Sequence, residues 1–354
     1  MVVRCTVNKN TNLEKSHVKS NGIKGKIFRA MVVEETPSGQ FEINIKKKAI
    51  KDLPPGDVLV RVKYSSINYK DALSASGNRG VTRKYPHTPG IDAAGIVVES
   101  ENSRFKEGDE VLITGYDLGM NTSGGFEQYI RVPAEWIVRL PEGLKFGEAM
   151  IYGTAGFTAA MSIYALMRDV APGDGEILVT GASGGVGCLV VVTLAKLGFE
   201  VVAVSGKPEG KRFLKKLGAK KVIAREEALD NSSKPLLKAI WAGVIDTVGG
   251  ETLATAIKST KPGGTVTCCG NVSSPDLPIT VFPFILRGVR LVGIDSQNCP
   301  MEHRKEIWTL LGDAWKSDKL MDICEEIGLD GVVFHVPMML QGKQKGRVVV
   351  NLDA

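Results

Sequence analysis

The chain has 354 residues, 43% hydrophobic and 24% charged, the balance of a globular protein with length for about two domains at roughly 150 residues each. A net charge of +6 is mild, and aromatics at 6% are too few to interleave with the short lysine runs at 46–48 and around 215–221. Solvated surface, with no nucleic-acid partner, is therefore expected there. No stretch is expected to supply the ~18 consecutive apolar residues that span a bilayer, so no membrane partner is expected.

Residues 1–26 are basic and polar and lack the apolar core of a secretory signal. They read as a disordered leader, with a transit peptide as the other reading. Strands follow at 28–34, 41–45, 58–64, 94–98, 110–114 and 126–132, each set off by Gly, Asp or Pro. Short strands so clustered predict a partly closed β-barrel. The pattern changes near Met150. A helix at 154–167, a strand at 176–180, a glycine-rich turn, a helix at 186–197 and a strand at 200–204 come in succession. A helix at 210–217 and strands at 221–223, 243–246, 265–269 and 290–294 continue the alternation. Such alternation predicts an α/β fold with a doubly wound parallel sheet. A helix at 303–320 and a strand at 346–350 return the chain to the first domain. The expected division is thus 27–149 with 297–354 for the barrel, and 150–296 for the parallel-sheet domain inserted within it.

The six cysteines, Cys5, Cys188, Cys268, Cys269, Cys299 and Cys324, form no C-x-x-C pair and suggest no disulfide framework. A reducing compartment fits, hence the cytoplasm, or the mitochondrion if the leader is a transit peptide.

The turn Gly181-Ala182-Ser183-Gly184-Gly185-Val186-Gly187 follows a strand and opens a helix. It reads A-x-G-x-x-G, with Ala182 at the first glycine position. Glycine there lets backbone approach a pyrophosphate or lets helix and strand pack closely, and the helix N-terminus offers unpaired N–H groups. The next strand ends in Ser205-Gly206-Lys207, with no carboxylate to bond a ribose 2′-hydroxyl. Ser205 can donate to a 2′-phosphate and Lys207 can neutralise it, which favours NADPH over NADH. Arg225 is a second candidate cation near the adenine end.

With these segments in hand, the sequence resembles the zinc-free medium-chain dehydrogenase/reductase superfamily, and within it the acryloyl-CoA reductase (YhdH/YhfP-type) branch. The resemblance runs from about Phe28 to the end. It is carried by residues 65–73 (SSINYKDAL), 89–95 (PGIDAAG), 153–159 (GTAGFTA), the glycine-rich turn, 204–207, 245–249 (IDTVG), 283–289 (PFILRGV) and 293–296 (GIDS). It implies a GroES-like catalytic domain, a Rossmann cofactor domain, NADPH and a homodimer. By position it implies cofactor contacts at Tyr69, Ser183, Gly184, Gly185, Val186, Gly187, Ser205, Gly206, Lys207, Arg225, Asn271, Ile285 and Ser296. The common form has Arg where this chain has Lys207, which supplies charge without the bidentate fork.

Zinc-dependent relatives bind the metal with Cys, His and an acid. Here Pro89-Gly90-Ile91-Asp92 lacks a His, His87 has no Cys nearby, and adjacent Cys268 and Cys269 point to opposite faces of a strand. No metal is expected. Without ligands for a Lewis acid, reduction of an enone or enoyl thioester is better supported than alcohol oxidation. Hydride adds to the β-carbon, donors stabilise the carbonyl oxygen, and a proton reaches the α-carbon. Tyr69 is a candidate donor or nicotinamide-positioning group, or else a packed aromatic. Asn68 is a candidate substrate-orienting group. Asp71 and Asp92 are candidates for a polar cleft network, or else caps of a turn or helix. Arg347 is a candidate contact for a cofactor phosphate or an anionic substrate, or else a surface Arg. The leading expectation is reduction of a short 2-enoyl thioester, with quinone or reactive-enone reduction second. A non-catalytic, NADPH-loaded structural or RNA-binding role is the rival from another class.

Overall fold

The computed structural model describes residues 23, 25–206, 208–342 and 344–354. Of the leader expected at 1–26, residues 1–22 and 24 lie outside the described residues, as does Lys207. Ile23 packs against an apolar cluster around Phe28, Leu59 and Tyr129, so the described chain joins the fold slightly before residue 27.

The first strands, β1 (Ile27–Glu35) and β2 (Phe41–Ala49), pair antiparallel across a turn that Gly39 closes at φ +78°. Strand β3 (Val58–Ser66) is the spine of a seven-stranded sheet with β4 (Asp92–Ser100), β5 (Glu110–Thr114), β6 (Tyr129–Val132), β7 (Ile137–Arg139), β14 (Cys324–Gly328) and β15 (Arg347–Asn351). One edge of β3 pairs with β4; β6 and then β15 share the other. Register shifts at Leu59/Val60 and Val62/Tyr64 give β3 the bend that such double use demands. Helix α1 (Tyr69–Ala75) leaves the end of β3 directly.

A six-stranded, wholly parallel sheet is built from β8 (Glu176–Val179), β9 (Glu200–Val204), β10 (Lys221–Ile223), β11 (Trp241–Asp246), β12 (Thr260–Cys268) and β13 (Arg290–Gly293), in the order β10-β9-β8-β11-β12-β13. Ile177, Leu178, Val179 and the run 201–204 are all buried, as strands covered on both faces must be. The covering helices include α3 (Gly185–Lys196), α4 (Pro208–Leu217), α5 (Gly250–Lys258) and α6 (Phe282–Arg287).

Helix α2 (Phe146–Leu166) joins the two sheets and is the centre of the largest apolar core, packing on α3 and on β3 and β4. It starts earlier than the expected 154–167, because two helical segments abut at Gly153, whose φ of 50° and ψ of −153° are not helical. By length and composition α2 is long and apolar enough to cross a membrane, contrary to the sequence expectation. Its apolarity has a different cause: 78% of its most apolar stretch is buried inside the protein. The helix expected at 303–320 is shorter, α7 (Met301–Gly312), ending where Asp313 leaves helical geometry. Helix α8 (Val332–Leu340), with Pro337 inside it, completes the set.

Candidate active site

The strand order reverses between β8 and β11, and the turn after β8 lies at that switch point, where ligands bind in open α/β sheets. Gly181 takes φ +57°, and a Cβ on it would lie 2.2 Å from Thr247 Oγ1. The tight-turn glycine is therefore Gly181, and the fully buried Ala182 follows it. A Cβ on Gly187 would lie 2.4 Å from the Gly181 carbonyl oxygen, so this glycine permits the close approach of α3 to the turn. A Cβ on Gly185 would meet Arg347 Nη1 at 3.2 Å. Helix α3 has no side-chain cap at Gly184, which leaves its first-turn amides available to an anion.

A cavity of about 210 Å³ extends from this turn and is lined by Thr180, Ser183, Ser205, Gly206, Arg225 and Val272. A Cβ on Gly206 would fall 2.6 Å from Arg225 Nε; glycine lets the guanidinium lie over the tip of β9. Asp246, fully buried at the end of β11, accepts hydrogen bonds from Thr180 Oγ1 (2.7 Å) and the Gly249 amide (2.8 Å). Burial pushes its carboxyl above the usual carboxylate range, against the pull of those bonds. Its work is to hold the 247–249 loop along the cavity.

Val272 also lines a larger cavity of about 430 Å³ between the parallel sheet and the barrel. Leu73, Ile91, Tyr116, Met120, Ala155 and Ile294 give it apolar walls; its polar groups include Asn68, Tyr69, Lys70, Asp295, Ser296 and Gln297. Tyr69 is 43% exposed, and its hydroxyl makes no hydrogen bond among the described residues. Thr158 Oγ1 donates to Ser296 Oγ at 2.7 Å. Cys269 also faces the cavity, and burial pushes its thiol up to about 12.

Behind this wall lies a sealed polar network. Asp92 accepts from Ser66 Oγ (2.6 Å), Asn68 Nδ2 (2.7 Å), and the amide and hydroxyl of Thr154 (2.9 and 2.6 Å). Arg347 donates to the carbonyls of Ile151 and Ile67, to Asn68 Oδ1 and to Ser66 Oγ, with Nη2 4.0 Å from Asp92 Oδ2. Burial draws the Arg347 guanidinium below its ordinary value. Asp71 accepts from the amides of Asn68 (2.7 Å), Gly90 (3.1 Å) and Ile91 (2.9 Å). Burial, helped by the nearby Asp92 charge, raises its carboxyl to about 7 against those three amides.

Of the sequence candidates, Asn68, Tyr69, Val186, Asn271 and Ser296 line the larger cavity, and Ser183, Ser205, Gly206 and Arg225 the smaller. Asp71, Asp92 and Arg347 meet one another through Asn68 but are 0%, 0% and 2% exposed and line neither cavity. Asp71 caps α1 and pins the 90–91 backbone, and Arg347 is a buried strut rather than a surface group. Ile285 lies elsewhere. It is 67% exposed on α6, which ends in left-handed Gly288 and turns Phe282, Ile285 and Leu286 outward.

Three groups escaped the sequence reading. Lys70 lines the cavity and donates to Gln297 Oε1. Tyr116, at φ 53°, stacks on Trp136 at 5.7 Å. Arg304, wholly buried, donates to the Thr114 (2.7 Å), Ser296 (3.0 Å) and Gln297 (3.1 Å) carbonyls. Its guanidinium lies between the Tyr116 and Phe157 rings, 4.4 and 4.7 Å from their centroids. The one local signal for Lys70 was its place between Tyr69 and Asp71.

A parallel sheet with a glycine turn at its switch point, joined to a bulged antiparallel sheet across a half-apolar cavity, defines a two-domain nucleotide-dependent oxidoreductase. Residues 54–142 match the alcohol dehydrogenase GroES-like domain and residues 185–312 the zinc-binding dehydrogenase family, and the chain belongs to the medium-chain dehydrogenase/reductase family. An acrylyl-CoA reductase, AcuI of Ruegeria pomeroyi, is 43% identical over 330 residues, covering 93% of this chain and 100% of that protein. The Salmonella enterica yhdH oxidoreductase, solved in complex with NADP, has a TM-score of 0.89 at 42% identity, over 92% of this chain and 99% of that one. Bacillus subtilis yhfP, solved with NAD bound, has a TM-score of 0.90 at 43% identity, over 93% and 100%.

The residues here do not fit the zinc that the second family description names. Among the described residues no group of three His, Cys, Asp or Glu side chains gathers around one point. His87 is spent on the Gly119 carbonyl (2.9 Å).

Proposed function

We propose that this chain reduces an activated carbon–carbon double bond with NADPH, and that its substrate is a short 2-enoyl-CoA such as acryloyl-CoA. The observation that carries the reading is the pair of cavities meeting at Val272. The narrower suits the adenosine and phosphate portion of a dinucleotide, and the wider a nicotinamide beside a small conjugated acceptor. Reduced nicotinamide, when bound, supplies the hydride. The first-turn amides of α3 face the pyrophosphate, and Ser205 and Arg225 face the 2′-phosphate. The likeness to NADP-bound yhdH supports NADPH, while the NAD in yhfP makes nucleotide preference worth measuring. Asn68, with both ends of its amide engaged, fixes the start of α1, so that Tyr69 and Lys70 project into the wider cavity. Leu73, Ile91 and Met120 keep water from the β-carbon.

We assign the barrel to 27–149 and 297–354 and the nucleotide domain to 150–296. The outward apolar face of α6 beside edge strand β13 supports a homodimer through that edge. The free cysteines among the described residues suit a reducing cytoplasm.

The test is NADPH oxidation with acryloyl-CoA, crotonoyl-CoA, an enone and a quinone in parallel, repeated with NADH. Fast turnover of acryloyl-CoA supports the reading, and faster quinone turnover transfers it to quinone reduction. Tight NADPH binding with no turnover on any acceptor overturns it in favour of a non-catalytic role.

A further inference from the structure

Lys70 is out of place for an ordinary surface lysine. It stands half-buried in the wall of the wider cavity. It makes no ion pair among the described residues, and its one hydrogen-bond partner there is the neutral Gln297 amide oxygen. An ammonium carries three N–H donors, so two stay unused by the protein. The backbone of Gln297 is itself fixed: its N–H donates to Asp295 Oδ1 (3.0 Å), and its main-chain carbonyl accepts from the Tyr116 N–H (3.1 Å) and Arg304 Nη2 (3.1 Å). The carboxylates facing Lys70 are otherwise occupied. Asp71 accepts three backbone amides behind the wall, and Asp295 is turned onto Gln297 and Asn298. Among the described residues no other cation lines this cavity. A partly desolvated, pre-oriented ammonium with spare donors is costly unless something negative forms in front of it.

We infer that Lys70 is a catalytic residue whose ammonium binds the carbonyl oxygen of a conjugated acceptor and bears the negative charge that develops there. The inference rests on the reading of the protein as a reductase of conjugated carbonyls. Hydride, with its electron pair, forms the new C–H bond at the β-carbon. The π pair of the α,β double bond shifts to join the α-carbon to the carbonyl carbon, and the carbonyl π pair moves onto oxygen. Two N–H groups of Lys70 solvate that oxygen. A solvent proton then closes the α-carbon and the carbonyl re-forms, leaving oxidised nicotinamide and the saturated acyl product. Burial also draws the Lys70 ammonium below its usual range, against the opposing charges of Asp71 and Asp295, so an alkaline limit on the reaction should come into reach.

The test compares wild type with Lys70→Met and Lys70→Arg, using acryloyl-CoA and a simple enone, which share the conjugated carbonyl. Loss of one such donor lowers kcat by about 10²–10³-fold. That loss is expected for Lys70→Met on both acceptors, with NADPH affinity by fluorescence titration changed less than twofold. Lys70→Arg should restore part of the rate and shift the alkaline limb of kcat/KM upward, whereas Lys70→Met should abolish that limb. A second readout needs no turnover. Acetoacetyl-CoA added to the NADP⁺-loaded enzyme should develop its ultraviolet enolate band with wild type and not with Lys70→Met. Near-wild-type rates and an unchanged alkaline limb in Lys70→Met overturn the inference. If wild type reduces the enone but no enoyl-CoA, the substrate reading fails while Lys70 is still judged on the enone. If wild type reduces neither, both fall.

Discussion

Gly153 gives the sharpest test of how the two halves are fastened. It sits at φ +50° where α2 changes course, and a Cβ there would lie 2.4 Å from Asp92 Oδ2, 2.6 Å from Ser66 Oγ and 3.0 Å from Arg347 Nη2. Gly153→Ala therefore incurs two costs. Backbone at φ +50° with ψ −153° lies in a region essentially reserved for glycine, which costs an L-residue roughly 1–3 kcal/mol. Prising apart a buried, hydrogen-bonded charge network adds roughly 1–3 kcal/mol. The sum is about 4 kcal/mol. With ~2.1 cal/mol/K per residue over 354 residues, the unfolding entropy is about 0.7 kcal/mol/K, and Tm should fall by about 5 °C. Gly288 supplies the control: its φ is +59°, and an added Cβ meets nothing within 4 Å. With ψ 28° Gly288 is left-handed, so Gly288→Ala should cost only that backbone term, roughly 1–2 kcal/mol or about 2 °C. Scanning calorimetry of both variants decides the matter. Equal shifts would show that crowding against Asp92 and Arg347 contributes nothing, and the argument would be refuted.

Asp71 has its carboxyl raised to about 7 from an unfolded value near 3.9. The folded state thus binds the extra proton between those values. The stabilisation is complete below about pH 4 and is lost as pH rises through 7, a swing of roughly 4 kcal/mol. Asp71→Asn should flatten Tm against pH between 5 and 8, and an unchanged slope would refute the assignment. Arg225→Ala should weaken NADPH binding about tenfold at low salt, one charge-assisted contact, and leave NADH within twofold. Equal weakening of both nucleotides, measured by fluorescence titration, would place Arg225 away from the 2′-phosphate.

What could be read from sequence was what is local. The strand, glycine turn and helix at 176–196 announce themselves because periodicity and turn chemistry change within a few residues, and the turn's role follows from backbone geometry alone. The pattern A-x-G-x-x-G says nothing about which residue takes positive φ; Gly181, one place before it, does. Helix α6 was missed because six residues carry too little periodicity, and α8 because Pro337 argues against it. The continuous apolar run of α2 hides the break at Gly153, whose cause lies on β4 and β15. The same distance problem applies to the site. Asp71 and Asp92 read as a cleft network and Arg347 as a separate anion contact, and only packing shows that the three meet behind the wall. Lys70 looks like any helix-start lysine until Gln297, 227 residues away, is seen to hold it.

Arg304 ties these distances together. Its two terminal guanidinium nitrogens donate to the carbonyl at the end of β5 on one side and to the two carbonyls that follow β13 on the other. Melting either half alone would strand a buried positive charge with acceptors missing, at a cost of several kcal/mol. Neither half can therefore unravel as an independent unit, and the protein should lose both sheets in a single cooperative transition despite having the architecture of two domains.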